Sequence, residues 1–368
     1  MSNPDSSRRR FLQTGAGTAA ATFSITGASK TNAAPKAKHQ KSGIFVGDGD
    51  YRYEVIHGWA KLPDKYTWQT THDVATDKDG FVYVIHEGRI DQPDHPAIFV
   101  FDPDGKFVRG FGQQLQGGGH GLEVRQEGSQ QYLYVTAYLT HKYFCKMTLD
   151  GEVIWTRRAP MDSGIYHADE PFSGERIFAR NRFQPTNFAF LPNGDFLLAD
   201  GYGGHVIHHY DWDGSWKRMI GKPGKGPGEF SLPHGIWIDD RPGKQPSIVV
   251  ADRSNSRVQW ITMEGKHIKT MDDFILPANI DQLGDLLLIP DLSARITLVD
   301  KNDKLIHLGE DEAWRKDVLK DGKAMRRNPD GWKDGRFVHP HDACFSPNGD
   351  IFVAEWVQTG RVSKLQKV

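Results

Sequence analysis

The sequence predicts an all-β protein, a six-bladed β-propeller whose ring is closed by an N-terminal strand. Three observations carry this expectation. A unit of short apolar strands separated by turn signals recurs six times after about residue 66. The unit starts lie roughly 45–65 residues apart, the spacing of propeller blades. The last unit stops after three strands, while one strand is left over at the other end, in "YRYEVIHGWA" at 51–60. Pairing the two removes an exposed sheet edge.

The units follow in order. The first runs from "HDVATDKDGFVYVIHEG" to "AIFVFDPDGKFVRGFG", and the second starts at His120 with "HGLEVRQ". The third starts at "PTNFAFLPNGDFLLADGYGG", the fourth at "PHGIWIDD", the fifth at "PANIDQLGDLLLIPD" and the sixth at "PHDACFSPNGDIFVAE". Their strands are rich in Val, Ile, Phe, Tyr and Trp, as pleated, half-buried segments should be. Asn-Gly and Asp-Gly pairs mark the hairpin turns. Two long connections interrupt the pattern, at 159–182 and 310–336; the second predicts a short helix around "EDEAWRKDVLKDGKAM". Both can wall a pocket.

The expected domain organisation is a signal peptide over 1–33, a flexible lead-in over 34–50 and the propeller over 51–368. "SSRRRFLQ" (Ser6 to Gln13) resembles the twin-arginine export consensus, through Ser7, Arg8, Arg9, Phe11 and Leu12. The Gly- and Ala-rich stretch behind it is too short and too weakly apolar for a stable membrane span. This implies a bacterial protein handled by the twin-arginine machinery, periplasmic or secreted, with no stable membrane anchor in the mature chain. The formal net charge is −1, and no basic face or run suggests a nucleic-acid partner, so that class is discounted. The two cysteines, Cys145 and Cys344, fall in different units and read as buried apolar residues, not as a disulfide framework.

The first strand of each unit is innermost and starts at one face of the ring. The loop between the second and third strands returns to that face. His120, His234 and His341 open alternate units, so three imidazoles point at the axis. Three protein ligands with an open fourth position is the pattern of a catalytic zinc site. His72 is in register with them, in unit one. The same rim takes His86, Glu87, Arg89, Tyr138, His141, Tyr202, Arg253, Asp291, Glu355 and Trp356 from the loops. His205, His208 and His209 read as surface residues of a strand. "GKPGKGPG" is no phosphate loop, since neither Gly-Lys-Ser/Thr nor a helix follows.

"GKPGKGPGEFSLPHGIWID" resembles an NHL repeat. "QPTNFAFLPNGDFLLADGYGG", "LPHGIWID" with "VVADRSNSRVQ", and "HPHDACFSPNGDIFVAE" are similar to the peptidyl-α-hydroxyglycine amidating lyases, six-bladed propellers that release a peptide amide and glyoxylate. The resemblance implies zinc on His120, His234 and His341, a catalytic Tyr202, and Arg253 as a catalytic-site arginine. It also implies a structural calcium on Asp342 with the backbone carbonyls of Val74 and Leu122. Two departures stand out. The family's His-Arg-Gly run in the first unit reads His86-Glu87-Gly88 here, with Arg89 displaced by two, and the family's methionine before the last ligand is His339. The implied substrate is a small molecule or peptide. Tyr202, its pKa lowered by the cation, would take the substrate hydroxyl proton while Arg253 holds a carboxylate. Two other classes share the scaffold, a calcium-dependent lactonase-type hydrolase and a non-catalytic NHL binding propeller.

Overall fold

The computed structural model describes residues 42–170 and 172–368; the predicted signal peptide and residues 34–41 of the predicted lead-in lie outside them. The chain forms six antiparallel sheets arranged as the blades of a propeller. Blade one comprises Thr71–Thr76, Val82–His86, Ile98–Phe101 and Phe107–Phe111. Blades two to five start with Gly119–Glu127, Phe188–Phe190, Pro233–Asp239 and Asp281–Leu283. Each unit meanders outward, so its first strand is innermost.

The sixth blade holds Pro340–Phe345, Ile351–Glu355 and Arg361–Lys367. Its fourth strand is Tyr53–His57, which pairs antiparallel with Arg361–Lys367 from Tyr53↔Lys367 to His57↔Ser363. Phe45–Val46 adds a fifth strand on Tyr53–His57. This places part of the stretch expected as a flexible lead-in on the sheet. Val46 is buried there, and Glu54 accepts from the Gly43 N–H at 2.9 Å.

The blades are held by apolar layers between neighbouring sheets. Leu288, Ile296 and Leu298 of blade five pack with Ala343, Ile351, Val353 and Leu365 of blade six. Val55 of the added strand joins the same layer. Removing such surface from water is the main favourable term in holding sheets face to face. The helix predicted in the second connection spans Glu312–Leu319, with Asp311 capping its start through the Trp314 N–H at 2.9 Å. A 3-10 turn follows at Ala324–Arg327.

One irregularity in the sheets positions the candidate site. The ladder between the first and second strands slips by one residue at four of the six blades. The slips fall between Thr71 and Asp73, Gly119 and Leu122, Pro233 and Ile236, and Pro340 and Asp342. Each brackets one histidine: His72, His120, His234 or His341. A bulge leaves a residue unpaired and re-aims its side chain. Gly121 and Gly235 complete two of these bulges. A Cβ on Gly121 would lie 2.2 Å from the Thr186 carbonyl oxygen, and one on Gly235 2.4 Å from the Asn279 Cα. Only glycine lets the bulge approach the next blade this closely.

Candidate functional site

The four bulged histidines meet on the axis. Ring centroids lie 4.9 Å apart for His72 and His120, 4.8 Å for His72 and His341, 4.9 Å for His120 and His234, and 4.6 Å for His234 and His341. All four are buried. Burial, together with neighbouring cationic groups, pushes every one of them below the usual imidazole pKa, so the neutral form is favoured.

Their outer nitrogens separate the four into two kinds. His120 Nδ1 lies 3.2 Å from the Thr186 carbonyl oxygen, His234 Nδ1 2.7 Å from that of Ala278, and His341 Nδ1 2.7 Å from that of His72. In each case the carbonyl belongs to the start of the next blade. A neutral imidazole can meet a carbonyl only with its N–H, so these contacts assign the proton to Nδ1 and the lone pair to Nε2. Tethers of this kind orient metal-bound histidines. His72 has no such tether; its Nε2 is 3.3 Å from Glu87 Oε2, and its Nδ1 is buried without a partner.

The residues present fit a metal ion. His120 Nε2 and His234 Nε2 face each other at 3.2 Å, lone pair to lone pair, and His341 Nε2 is buried with no partner. A cation between them removes the repulsion and satisfies the orphan. His72, His120 and His341 also bring ligand atoms within 4.8 Å of one another, which makes them a candidate metal group by separation alone. That grouping favours His72 over His234. The carbonyl tethers favour His234, because a lone pair held on target is worth more to a metal than proximity alone.

Tyr202 and Arg253 sit against this cluster. The Tyr202 hydroxyl is 3.1 Å from His234 Nε2 and 3.2 Å from Arg253 Nη1. Arg253 Nε reaches the Pro277 carbonyl at 3.3 Å, and its Nη2 is buried without a partner. Burial raises the Tyr202 phenol above its ordinary value, and Arg253 offsets this only in part. A cation on the imidazoles would act in the opposite direction, the effect the sequence reading expects. The Tyr202 loop is fixed from behind by Asp200, which accepts from the Gln184 N–H at 2.7 Å and the Gly204 N–H at 2.5 Å. Tyr166 donates to Asp200 at 2.7 Å and lies 2.6 Å from His208 Nε2, while Trp216 donates to His208 Nδ1 at 3.1 Å. His208 is therefore a buried member of a relay and not the surface residue expected, because its side of the strand faces this network.

Arg89 does not reach the site. It is exposed and paired with Asp91, while Gly88, at φ +73°, turns the loop outward. Glu87 takes the inward place. It accepts from Tyr138 at 3.1 Å and contacts His72. Burial raises its carboxyl, but His72 and Tyr138 outweigh this and hold it below the usual range. Several other rim residues make structural contacts. His86 Nε2 meets the Pro96 carbonyl at 2.8 Å, His141 that of Gln116 at 2.9 Å, and His339 Nδ1 that of Leu292 at 2.6 Å. Asp291 accepts from the Ile275 N–H at 2.9 Å, and Glu355 pairs with Arg361. Cys145 and Cys344 are free and buried.

A second polar group lies farther down the inner strands. Asp342 accepts from the Val74 N–H at 2.8 Å and from Asn279 at 2.5 Å. The Val74 group that meets Asp342 is thus the N–H, and the Leu122 N–H meets Asp73. Asp73 Oδ1 and Asn279 Oδ1 are buried without partners. Glu123 and Asp281 line a cavity of about 300 Å³ at the far ends of these strands. Burial, reinforced by mutual repulsion, raises the carboxyls of Asp73 and Glu123 well above the ordinary range.

A second cavity of about 300 Å³ opens above the histidines. Arg176 of the first long connection and Arg326 and Arg327 of the second line it with Glu87, Tyr138 and Trp356. Sequence reasoning named the two connections as walls but missed these arginines, which follow no repeat register.

No protein-family model matches the chain. It is 28% identical over 219 residues to human NHL repeat-containing protein 3, spanning 57% of this chain and 56% of that protein. It is 29% identical over 169 residues to the Xenopus laevis peptidyl-glycine alpha-amidating monooxygenase B, covering 44% of this chain and 17% of that protein. A probable peptidyl-alpha-hydroxyglycine alpha-amidating lyase of Caenorhabditis elegans is 28% identical over 166 residues, covering 44% of this chain and 42% of that protein. The chain thus spans about half the length, or less, of the curated relatives it matches. A solved streptogramin B lyase shares the fold at TM-score 0.51 and 12% identity, covering 85% of this chain and 97% of that one. The chain is a six-bladed propeller that resembles NHL-repeat proteins and, at modest identity, peptidyl-α-hydroxyglycine amidating lyases.

Proposed function

We propose that the chain is an exported, zinc-dependent lyase that cleaves the carbon–nitrogen bond of a peptidyl-α-hydroxyglycine-like substrate, giving an amide and glyoxylate. The observation that carries the reading is the set of three carbonyl-tethered histidines, His120, His234 and His341, under the Tyr202–Arg253 pair. The likeness to amidating lyases supports the reaction class. Zinc on these imidazoles would act as a Lewis acid toward substrate oxygen.

The chain's own residues do the rest. Arg253 Nη2, buried and unpartnered, binds the substrate carboxylate and fixes its orientation. In the reaction the hydroxyl O–H breaks, a carbonyl forms on that carbon, the C–N bond breaks and the nitrogen gains a proton. Burial favours the neutral form of the Tyr202 phenol. It serves as a relay, its oxygen accepting the hydroxyl proton as its own proton passes to the departing nitrogen. No redox step is involved. The buried oxygens around Asp342, with Asp73 Oδ1 and Asn279 Oδ1 unpartnered, suit a hard cation, and we assign calcium a structural place there. Export rests on the twin-arginine resemblance of Ser6 to Gln13, which lies outside the described residues; among the described residues no helix is long and apolar enough to cross a membrane.

The test is glyoxylate release from α-hydroxyhippurate by the zinc-loaded protein. Release that zinc removal abolishes supports the lyase. Loss of activity on calcium removal alone, with ester or lactone turnover and no glyoxylate, favours the lactonase reading, which the axial carboxylates and Asn279 would serve.

A further inference from the structure

We propose that the cavity above the histidines is a receptor for a second anionic group, so that the preferred substrate carries a carboxylate on its acyl side as well as on its glycine side. The assignment of this anion to a substrate rests on the lyase reading; the assignment of the cavity as a carboxylate site does not. The cavity presents three guanidiniums, Arg176, Arg326 and Arg327, against one carboxylate, Glu87. Glu87 is already engaged by Tyr138 and His72 beneath it. Among the described residues no ion pair joins any of the three arginines to a carboxylate. Like charges gathered around a small space repel one another unless an anion is supplied.

The arginines are also prepared for such a ligand. Arg326 sits over Trp356, its guanidinium carbon 3.3 Å from the ring centroid, and its Nε is buried with no partner. A cation–π contact of this kind holds the guanidinium in place, and the unpartnered Nε leaves a donor for a carboxylate. Trp356 is in turn held against His339, with rings 5.9 Å apart. The cavity adjoins the candidate centre across one shared wall. Tyr138 lines it and packs on the His120 ring at 4.7 Å and on the Tyr202 ring at 5.6 Å. A substrate carboxylate on Arg253 and an acyl group in the cavity therefore flank the cluster. About 300 Å³ is room for a short acidic acyl group. Glu87, standing where the amidating lyases have an arginine, does not remove anion recognition. The connections between blades supply the cations instead.

Two measurements on the full chain, metal-loaded, test the proposal. Calorimetric titration with glutarate should give binding at least tenfold tighter than with the neutral glutaramide, and Arg326→Gln should weaken glutarate by about tenfold, the effect of one lost charge-assisted bond. A double variant, Arg176→Gln with Arg327→Gln, should do the same, with circular dichroism and zinc content unchanged as the check on folding. In turnover, the preference in kcat/KM for an N-glutaryl over an N-benzoyl α-hydroxyglycine should fall by a similar factor in both variants. Equal binding of glutarate and glutaramide, or glutarate affinity unchanged in both folded variants, overturns the cavity assignment even if glyoxylate is released. Arginine-dependent glutarate binding with no glyoxylate from either substrate keeps the cavity and sinks the lyase reading. Inorganic phosphate binding more tightly than glutarate at the same arginines overturns the carboxylate assignment.

Discussion

At the scale of single residues, the tethered tripod and the relay make separable predictions. His234→Ala removes an imidazole whose Nδ1 is tied to Ala278 and whose Nε2 faces the axis. The variant should lose most bound zinc on dialysis against a weak chelator while its far-ultraviolet dichroism stays that of the parent. Full zinc retention would count against the tripod and in favour of the His72, His120 and His341 group. Tyr202→Phe deletes one hydroxyl and almost no volume, so zinc and fold should persist while kcat falls by roughly 100-fold or more. Arg253→Ala should act mainly through KM for carboxylate-bearing substrates, measured on the same zinc-loaded preparation. Parental kcat in Tyr202→Phe would mean that the hydroxyl moves no proton.

At the scale of elements, the bulges do the positioning. A regular strand would turn successive side chains to opposite faces and leave the histidine paired in the ladder. The extra residue at each bulge frees it to point along the axis. Gly121→Ala places a methyl 2.2 Å from the Thr186 oxygen, the same carbonyl that tethers His120. It should cost roughly 1–3 kcal/mol in urea denaturation and weaken zinc binding as well. A variant that loses stability but binds zinc as the parent does would separate packing from tether. The loop carrying Tyr202 depends likewise on the relay through Trp216, His208, Tyr166 and Asp200, which the repeat pattern alone does not reveal.

At the scale of the whole molecule, two outcomes follow from how the ring is built. A chain starting at residue 59 lacks Tyr53–His57 and exposes the Arg361–Lys367 edge. It should melt well below the parent and elute as aggregates in size-exclusion chromatography, because an open strand edge recruits others. Monomeric elution with the parent's melting temperature would show that the pairing is dispensable. The second outcome concerns acid. Burial lowers His86 and His208 to about 3. The unfolded chain then binds protons below about 6.5 that the folded chain does not, so stability is present above that pH and lost as pH falls. Each contributes a loss of roughly 2 kcal/mol by pH 5. Asp281 and Asp200, whose carboxyls burial raises to about 7 and about 6, act in the opposite direction. The change in urea midpoint between pH 7.5 and 5 is therefore compared between the parent and His86→Gln and His208→Gln; an unaltered change in both variants would show that the folded state takes up these protons without strain.

The repeat, the blade count and the alternate-unit histidines were legible in the sequence because they are periodic. Strand, turn and strand recur with the same residue types, and a ring converts equal spacing into a common axis. The leftover strand at 51–60 was legible for the same reason, as a gap in a count. Periodicity says nothing of what fills the space between repeats. Arg176, Arg326 and Arg327 come from connections with no register, and Arg89 turned out to face water because one left-handed glycine redirects its loop. His72 matched the tripod in sequence, yet only folding shows that its Nδ1 meets no carbonyl while the other three do. Which nitrogen carries a proton depends on a partner from the next blade, and that partner is set by the tertiary structure alone.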